Sequence, residues 1–320
     1  MIRVREVKKS FGSIKAVDGV SLSVEKGEVL GFLGPNGAGK TTTMRLITGY
    51  LEPDSGEIFI NNQNLLDNPM AAKSQLGYLP ENAPVYRDMH VKGFLKFIAG
   101  MRGLKGKKAD EAIDRAVSIC HLEGVYYQSI DTLSKGYMRR TAFAQAILHD
   151  PPILILDEPT DGLDPNQKFE VRQMIRQMGK DKAIIISTHI LEEVDACCTR
   201  ALIIANGKIL ADGTPSELRA KAPTSNTVVV KLNESSEIQQ IKEVISSFVS
   251  VAKIADLKSP ESSIVSIVVY PSKEASPQKV LFDITEYFKN KNIIPVNLKI
   301  DEGRLDDVFR EITTKEEIQR

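Results

Sequence analysis

The feature that most constrains this chain is a glycine-rich stretch, residues 34 to 41, that joins an apolar run to a helical pattern. It reads G-P-N-G-A-G-K-T and has the spacing of a phosphate-binding loop. The apolar run Val29 to Leu33 predicts a buried strand, and Met44, Leu46 and Ile47 have helical spacing. From average composition, the fixed positions of the loop arise by chance in about one chain in a hundred of this length. The order strand, glycine loop, helix therefore predicts binding of a polyphosphate.

Three kinds of group in this loop can hold phosphate oxygens. Its glycines let the backbone turn N–H groups inward, and the helix that follows begins with unpaired donors. One helix terminus contributes only ~0.3–1 kcal/mol, so a triphosphate also needs the charges of Lys40 and a metal ion. Thr41 offers a hydroxyl to Mg²⁺, and Thr42 offers another to a phosphate oxygen. The alternative is a glycine turn that only caps a helix; the glycines concerned are Gly34, Gly37 and Gly39.

Composition limits the classes of protein to which this chain can belong. Its 320 residues suit two domains, and its 42 basic and 42 acidic side chains give no reason to expect nucleic-acid binding. No apolar run approaches the ~18 residues that a membrane span needs, and the N-terminus lacks a signal-peptide core. A reduced, cytosolic compartment suits the three cysteines, which lack metal-type spacing: Cys120, Cys197 and Cys198.

Two more apolar runs end in polar residues. Ile153 to Leu156 ends in Asp157 and Glu158, and Ala183 to Ile186 leads to His189. In an open parallel sheet, ligands bind at the carboxyl ends of the strands, so all three strand ends should face one site. Asp157 would hold Mg²⁺ and Glu158 would orient an attacking water. The alternative is a pair of surface acids at a strand end.

Three side chains outside the strand ends have both a structural and a functional interpretation. Phe11, which we place in a turn with Gly12, either stacks on a purine ring or belongs to the core. We predict that Ser134 caps the N-terminus of a helix that runs to about His149. This capping role is compatible with anion binding. Asp164 with Pro165 predicts the N-cap and first turn of a helix that runs to about Met178.

The remaining periodicity divides the chain into regions. Alternation over 2–8, 17–24 and 56–61 predicts strands, whereas 85–148 has helical spacing and predicts an insertion whose apolar stripes are core. Residues 221–320 show the order β-α-β-β-α-β, which predicts a ferredoxin-like α+β domain with a last strand near 292–299. We find no catalytic constellation in that domain, and dimer contact or regulation is a hypothesis for it.

At this point the motifs resemble those of a known family. The order G-P-N-G-A-G-K-T-T, G-Y-L-P-E, L-S-K-G-Y, I-L-I-L-D-E-P, D-G-L-D and S-T-H resembles the nucleotide-binding subunit of an ABC transporter over about residues 2 to 218. The resemblance implies an α/β fold: a P-loop NTPase core with an antiparallel β subdomain and the helical insertion, in a nucleotide-binding domain at 1–220. The α+β domain at 221–320 would be an accessory domain.

The resemblance also implies roles for individual residues. Hydrolysis would depend on Glu158, His189 and Lys40, and Mg²⁺ would be held by Thr41, Glu81 and Asp157. ATP would be bound by Phe11, Val17, Gly34, Pro35, Asn36, Gly37, Ala38, Gly39, Lys40, Thr41 and Thr42, and across a dimer by Ser134, Gly136 and Asp164.

Two departures from the family pattern indicate a branch. Glu81 stands where a glutamine is usual, and an ionised carboxylate cannot donate a hydrogen bond. Lys135 and Tyr137 make the signature L-S-K-G-Y instead of L-S-G-G-Q. Both variants resemble exporter ATPases with separate membrane subunits, among them a gliding-motility ATPase.

That branch implies a function and its partners. The chain would be an ATP-hydrolysing subunit, peripheral on the cytoplasmic face of the cell membrane, working as a head-to-tail homodimer beneath a polytopic permease that docks near Glu81 to Met89. The first alternative is a soluble ABC ATPase of translation or DNA repair. Against it stand a single cassette, the absence of a zinc-type cysteine cluster and the balanced charge. The second alternative, a regulatory subunit without useful turnover, is disfavoured by the intact Glu158 and His189.

Overall fold

A computed structural model describes residues 1–82, 84–234, 237–257 and 264–318 of the chain. Contacts between residues divide the chain into two compact units, Met1–Pro215 and Ser216–Arg320. The domain boundary expected near residue 220 stays a prediction. Among the described residues, every helix is too short or too polar to span a membrane.

The first unit consists of strands and helices, and the elements that the sequence patterns predict occur in the predicted order. Its elements are β1 (Ile2–Phe11), β2 (Ile14–Val24), β3 (Val29–Leu33), α1 (Lys40–Ile47), β4 (Ser55–Ile60), β5 (Gln63–Asn64), α2 (Pro69–Ser74), β6 (Leu76–Leu79), α3 (Val91–Met101), α4 (Lys107–Ile119), α5 (Lys135–Ile147), β7 (Ile153–Asp157), α6 (Pro165–Met178), β8 (Ala183–Thr188), α7 (Leu191–Cys197), β9 (Arg200–Ala205) and β10 (Lys208–Gly213).

A six-stranded sheet at the centre of this unit positions the site. Its order is β10-β9-β3-β8-β7-β6, and all its pairs are parallel except β10 with β9. The strands β3, β7 and β8 are buried along their whole length because apolar side chains cover both faces. Their register sets Leu33 beside Thr188 and Asp157 beside Ser187. The three predicted strand ends therefore do meet at one edge.

The antiparallel sheet has the order β2-β1-β4-β5, and it corrects one prediction. Phe11 is not in a turn: it is the last residue of β1 and pairs with Ile14 of β2. The turn falls one residue later because Gly12 has a φ of 60°, a left-handed conformation that glycine adopts without a steric penalty.

Three helices, α3, α4 and α5, occupy the chain between β6 and β7. The predicted core stripe of α3 is only partly correct. Val91, Phe94 and Leu95 are buried, Ile98 is half-buried, and Met101 is exposed. Met101 is the last residue of α3, where helical spacing alone does not ensure burial.

The second unit has a four-stranded antiparallel sheet with two helices packed against one face. The strand order β12-β13-β11-β14, with β-α-β-β-α-β in the chain, is the ferredoxin-like arrangement that the sequence predicts. The last strand begins at Asn297 instead of near 292, because Pro295 has no N–H for a ladder. The remaining elements are α8 (Pro215–Arg219), β11 (Thr227–Asn233), α9 (Ile238–Ser246), β12 (Val251–Leu257), β13 (Ile264–Pro271), α10 (Pro277–Asn290), β14 (Asn297–Asp301) and α11 (Leu305–Ile318).

A half-buried histidine lies just after α5. The Nε2 atom of His149 is 3.1 Å from the carbonyl oxygen of Leu76, and its Nδ1 atom is buried without a hydrogen-bond partner among the described residues. Burial, reinforced by the positive charge of Arg102, lowers the pKa of His149 to about 4 from an ordinary value of 6.5.

We expect this histidine to make the fold sensitive to acid. As the pH falls below about 6.5 the unfolded chain takes up a proton at His149, but the folded chain does so only near pH 4. Folding stability should therefore decline across that window. Denaturant unfolding as a function of pH should show the decline in the wild type and a shallower one in His149→Gln, which keeps a donor for Leu76. The control His121→Gln, at an exposed position, should behave as wild type. Equal slopes for all three proteins would contradict the assignment.

Candidate active site

The phosphate loop leaves β3 at Gly34 and enters α1 at Lys40. Gly37 and Gly39 have φ values of 80° and 103°, which side chains rarely permit. A β-carbon on Gly39 would lie 2.3 Å from the carbonyl oxygen of Ala16. Glycine is therefore required here by backbone conformation and by close packing, as the loop prediction supposed. The exposed part of the loop is Pro35, Asn36 and Gly37, and Ala38 is buried.

Lys40 places its ammonium at the centre of the site. Its Nζ atom lies 2.7 Å from the carbonyl oxygen of Gly34 and 3.7 Å from Oε1 of Glu158. Burial lowers the pKa of Lys40, and the neighbouring carboxylates of Glu158 and Asp157 oppose that effect. Thr41 and Thr42 follow on the first turn of α1, both half-buried.

Asp157 is fully buried at the end of β7. Its Oδ1 atom accepts a hydrogen bond from the hydroxyl of Ser187, but its Oδ2 atom has no hydrogen-bond partner among the described residues. A buried carboxylate oxygen without a hydrogen-bond partner is destabilising. A bound cation or an ordered water would supply the missing partner. A carboxylate together with a hydroxyl such as that of Thr41 is a donor set that fits Mg²⁺.

Glu158 lies at the first position after β7 and is only 8% exposed. Its φ is 48°, a strained value for a residue with a side chain. Its N–H donates to the carbonyl and hydroxyl oxygens of Ser187, each at 3.1 Å. Its Oε2 atom lies 2.9 Å from Nδ1 of His189, a side chain that is half-exposed. Lys40, Glu158 and His189 thus form one continuous polar chain across the three strand ends.

The structure bears out two predicted helix caps. The hydroxyl of Ser134 accepts a hydrogen bond from the N–H of Tyr137 at 3.3 Å, at the start of α5. The carboxylate of Asp164 accepts from the N–H of Gln167 at 2.9 Å, at the start of α6. Gly136 packs against the side-chain amide of Gln167, where a β-carbon would lie 2.3 Å from Oε1. Contacts of these residues with a shared nucleotide stay predictions.

Three other predicted site residues differ in their surroundings. Phe11 is 49% exposed, so the alternative that it belongs to the core is wrong. Val17 is only 1% exposed and lies within the core, which leaves it little surface for a ligand. The Glu81 side chain is exposed, and its backbone carbonyl oxygen accepts a hydrogen bond from Arg139. The roles of all three toward ATP or Mg²⁺ remain predictions.

The sequence analysis missed several groups that organise this site. Ser187 forms hydrogen bonds with both Asp157 and Glu158. The one sequence signal for this role is its position two residues before the predicted His189. Glu193 of α7 is buried, and it accepts a hydrogen bond from the hydroxyl of Thr160. Burial raises the pKa of the Glu193 carboxyl. Arg139 of α5 contacts the backbone beside Asp157 and Glu158.

Comparison with known proteins supports the same assignment. The family model described as ABC transporter matches residues 17–161. A probable multidrug ABC transporter ATP-binding protein of Escherichia coli is 35% identical over 69% of this chain, which spans 38% of that protein. An ABC transporter ATP-binding protein of Bacillus subtilis is 36% identical over 70% of this chain and 75% of its own length.

A solved structure agrees with these relatives. The ATP-binding subunit of an ABC transporter superposes with a TM-score of 0.64 at 29% identity, over 69% of this chain and 92% of that one. The predicted family and fold class are confirmed, and the relatives give no support to the alternative in translation or DNA repair. The chain belongs to the ATP-binding proteins of ABC transporters.

Proposed function

We propose that this chain hydrolyses ATP to power an exporter, as a peripheral subunit beneath a separate polytopic permease at the cytoplasmic face of the cell membrane. The observation that carries the proposal is the convergence of Lys40, Asp157, Glu158 and His189 at the carboxyl ends of three adjacent parallel strands. The name of the Escherichia coli relative, a probable multidrug transporter protein, supports the export class.

The phosphates of ATP would occupy the loop of residues 34–42. Backbone N–H groups of the loop and of the first turn of α1 would donate to phosphate oxygens. The Lys40 ammonium, which donates to the neutral carbonyl of Gly34, would exchange it for an anionic oxygen and gain a charge-assisted hydrogen bond. Thr42 would add a hydroxyl contact.

Thr41 and Asp157 would hold Mg²⁺ at this site. When bound, the ion neutralises charge on the β- and γ-phosphates. The hydroxyl of Ser187 donates a hydrogen bond to Oδ1 of Asp157, so Oδ2 would be the oxygen available to the ion. Glu81, the third predicted metal residue, would contribute as an acceptor only, through its exposed carboxylate.

Glu158 would orient the water that attacks the γ-phosphate in line with the leaving group. Oε1 of Glu158 contacts the Lys40 ammonium and Oε2 contacts the imidazole of His189. These two contacts fix the orientation of the carboxylate. His189 is half-exposed and would reach the γ-phosphate from the far side of Glu158. Lys40 and His189 would together stabilise the charge that develops during transfer.

A head-to-tail homodimer would complete two such sites. Ser134 and Asp164 are exposed at the N-termini of helices of 13 and 14 residues, where backbone donors remain for an anion. Ser134 and Gly136 of one copy would contact the γ-phosphate bound by the other, and Asp164 would lie at the dimer interface. A twofold axis makes both sites equivalent.

The permease would dock near Glu81 to Met89, a segment of which Ala83 lies outside the described residues. Tyr86 and Phe97 are 53% and 41% exposed, and their rings pack edge to face with centroids 5.5 Å apart. Exposed aromatic side chains of this kind are enriched at protein interfaces.

Replacing the proposed water-orienting carboxylate tests the hydrolytic mechanism. We expect Glu158→Gln to lower ATP turnover at least ~100-fold, because an amide cannot accept the proton of the attacking water. ATP binding should survive, since the phosphate loop is unchanged. Steady-state phosphate release and equilibrium titration measure the two quantities. Turnover comparable to wild type would show that another group orients the water.

Replacing the exposed aromatic at the end of β1 tests purine stacking. We expect Phe11→Ala to weaken ATP binding by ~1–3 kcal/mol, the range measured for stacking of a base on an aromatic ring. Phe11→Tyr should bind as wild type because it keeps the ring. Calorimetric titration gives both affinities. An unchanged affinity of Phe11→Ala would remove this residue from the site.

Affinity purification from gently solubilised membranes tests the transporter assignment. The tagged chain should bring down a polytopic membrane protein, and Tyr86→Ala with Phe97→Ala should reduce its recovery severalfold. Tyr127→Ala, at an exposed aromatic on the same helical insertion but outside the Tyr86–Phe97 pair, is the matched control. Recovery of ribosomal or DNA-repair proteins, or of none, would overturn the transport role and leave the ATPase chemistry intact.

A further inference from the structure

Within the described part of the chain, the guanidinium of Arg139, in the second turn of α5, donates hydrogen bonds to backbone carbonyl oxygens alone. The five carbonyl oxygens belong to two segments of chain, one that follows β6 and one that begins at the last residue of β7. These contacts are Nε to Pro159 at 3.4 Å, Nη1 to Pro80 at 3.1 Å and to Glu81, and Nη2 to Asp157 at 2.7 Å and to Glu158 at 2.6 Å.

This pattern uses the full hydrogen-bonding capacity of the side chain. Arginine has five N–H donors in a planar fork, and each of the five is matched by one carbonyl oxygen. A lysine has three donors on a single nitrogen and cannot reach both segments. Burial lowers the pKa of Arg139, and the carboxylates of Asp161, Asp157, Glu81 and Glu158 oppose that effect.

The contacts fall on the turn that aims the proposed catalytic carboxylate. Glu158 has a strained φ of 48°, so its conformation must be imposed by its neighbours. The hydroxyl of Ser187 accepts a hydrogen bond from the N–H of Glu158, and Arg139 donates one to the carbonyl oxygen of the same residue. The direction of the carboxylate therefore depends on both partners.

We propose that Arg139 is a positioning residue for hydrolysis, which holds the backbone of Glu158 in its productive orientation and ties it to the segment Pro80–Glu81. The proposal rests on the proposed role of Glu158 in orienting water. Because the guanidinium is rigid and planar, a shift of Pro80 and Glu81 changes the contacts on Nη1 and must tilt those on Nη2. Pro80–Glu81 leads directly into the segment where we expect the permease to dock.

The substitution Arg139→Lys tests the positioning role while keeping the charge. We expect kcat for ATP to fall at least about tenfold, because small misplacements of a reacting group are costly in rate. KM for ATP should change little, and the variant should remain folded at the temperature of the assay. The matched control is Arg115→Lys, which alters an arginine that donates to the Leu148 carbonyl oxygen at 3.3 Å, within the same helical insertion. The control should keep the wild-type kcat.

A double-mutant comparison asks whether Arg139 acts through Glu158. In a Glu158→Gln background, Arg139→Lys should lower the residual turnover no further, since the group that it positions is already gone. Hydrogen exchange should show faster exchange in Arg139→Lys at residues 80–82 and at 157–161 together, and no change there in Arg115→Lys.

Three results would overturn the inference. The first is an unchanged kcat in Arg139→Lys. The second is that Arg139→Lys lowers the turnover of Glu158→Gln by the same factor as it lowers that of the wild type, and the third is a loss of kcat that is matched by a loss of folded protein or of ATP affinity. If Glu158→Gln alone keeps normal turnover, the proposed role of Glu158 fails. If Glu158→Gln is slow while Arg139→Lys is normal, only the positioning role fails.

Discussion

The parallel pairing of β3, β8 and β7 is the constraint on which the rest of this molecule depends. These strands are apolar on both faces, so burial fixes their place in the sheet. Their hydrogen-bonded register sets Asp157 beside Ser187. A shift of one residue would turn every side chain to the opposite face and separate the polar groups. The geometry of the site therefore depends on the strand register as much as on the identity of its residues.

The groups that sequence reasoning found are those with a local pattern. Lys40 follows a glycine spacing, and Glu158 and His189 directly follow apolar runs, so their convergence could be predicted from a general rule about parallel sheets. Arg139 had no such pattern. Its partners are backbone carbonyls 18 to 59 residues away in the chain, and a carbonyl is present at every residue. Glu193 was missed for a related reason, because only the fold brings Thr160 to it.

The incorrect predictions about the fold concern the ends of elements. Phe11 extends β1 because the turn is formed by Gly12 and Ser13, after Phe11 has paired with Ile14, and β14 starts late because proline cannot join a ladder. Met101 has the right helical spacing but lies where its helix ends. Hydrophobic periodicity predicts which face of an element is buried. The length of the element depends on the neighbouring elements that pack against it. The predicted types of the elements were correct, and so was the ferredoxin-like order of the second unit.

The left-handed backbone at Glu158 implies a conflict between folding and activity at a single position. Glycine or asparagine would adopt a φ of 48° more readily than glutamate, so substitutions that stabilise the fold at this position would remove the carboxylate. Selection for ATP turnover would oppose those substitutions. A duplicated copy of such a chain, once released from that selection, would be expected to change here early and become a cassette that binds nucleotide without consuming it.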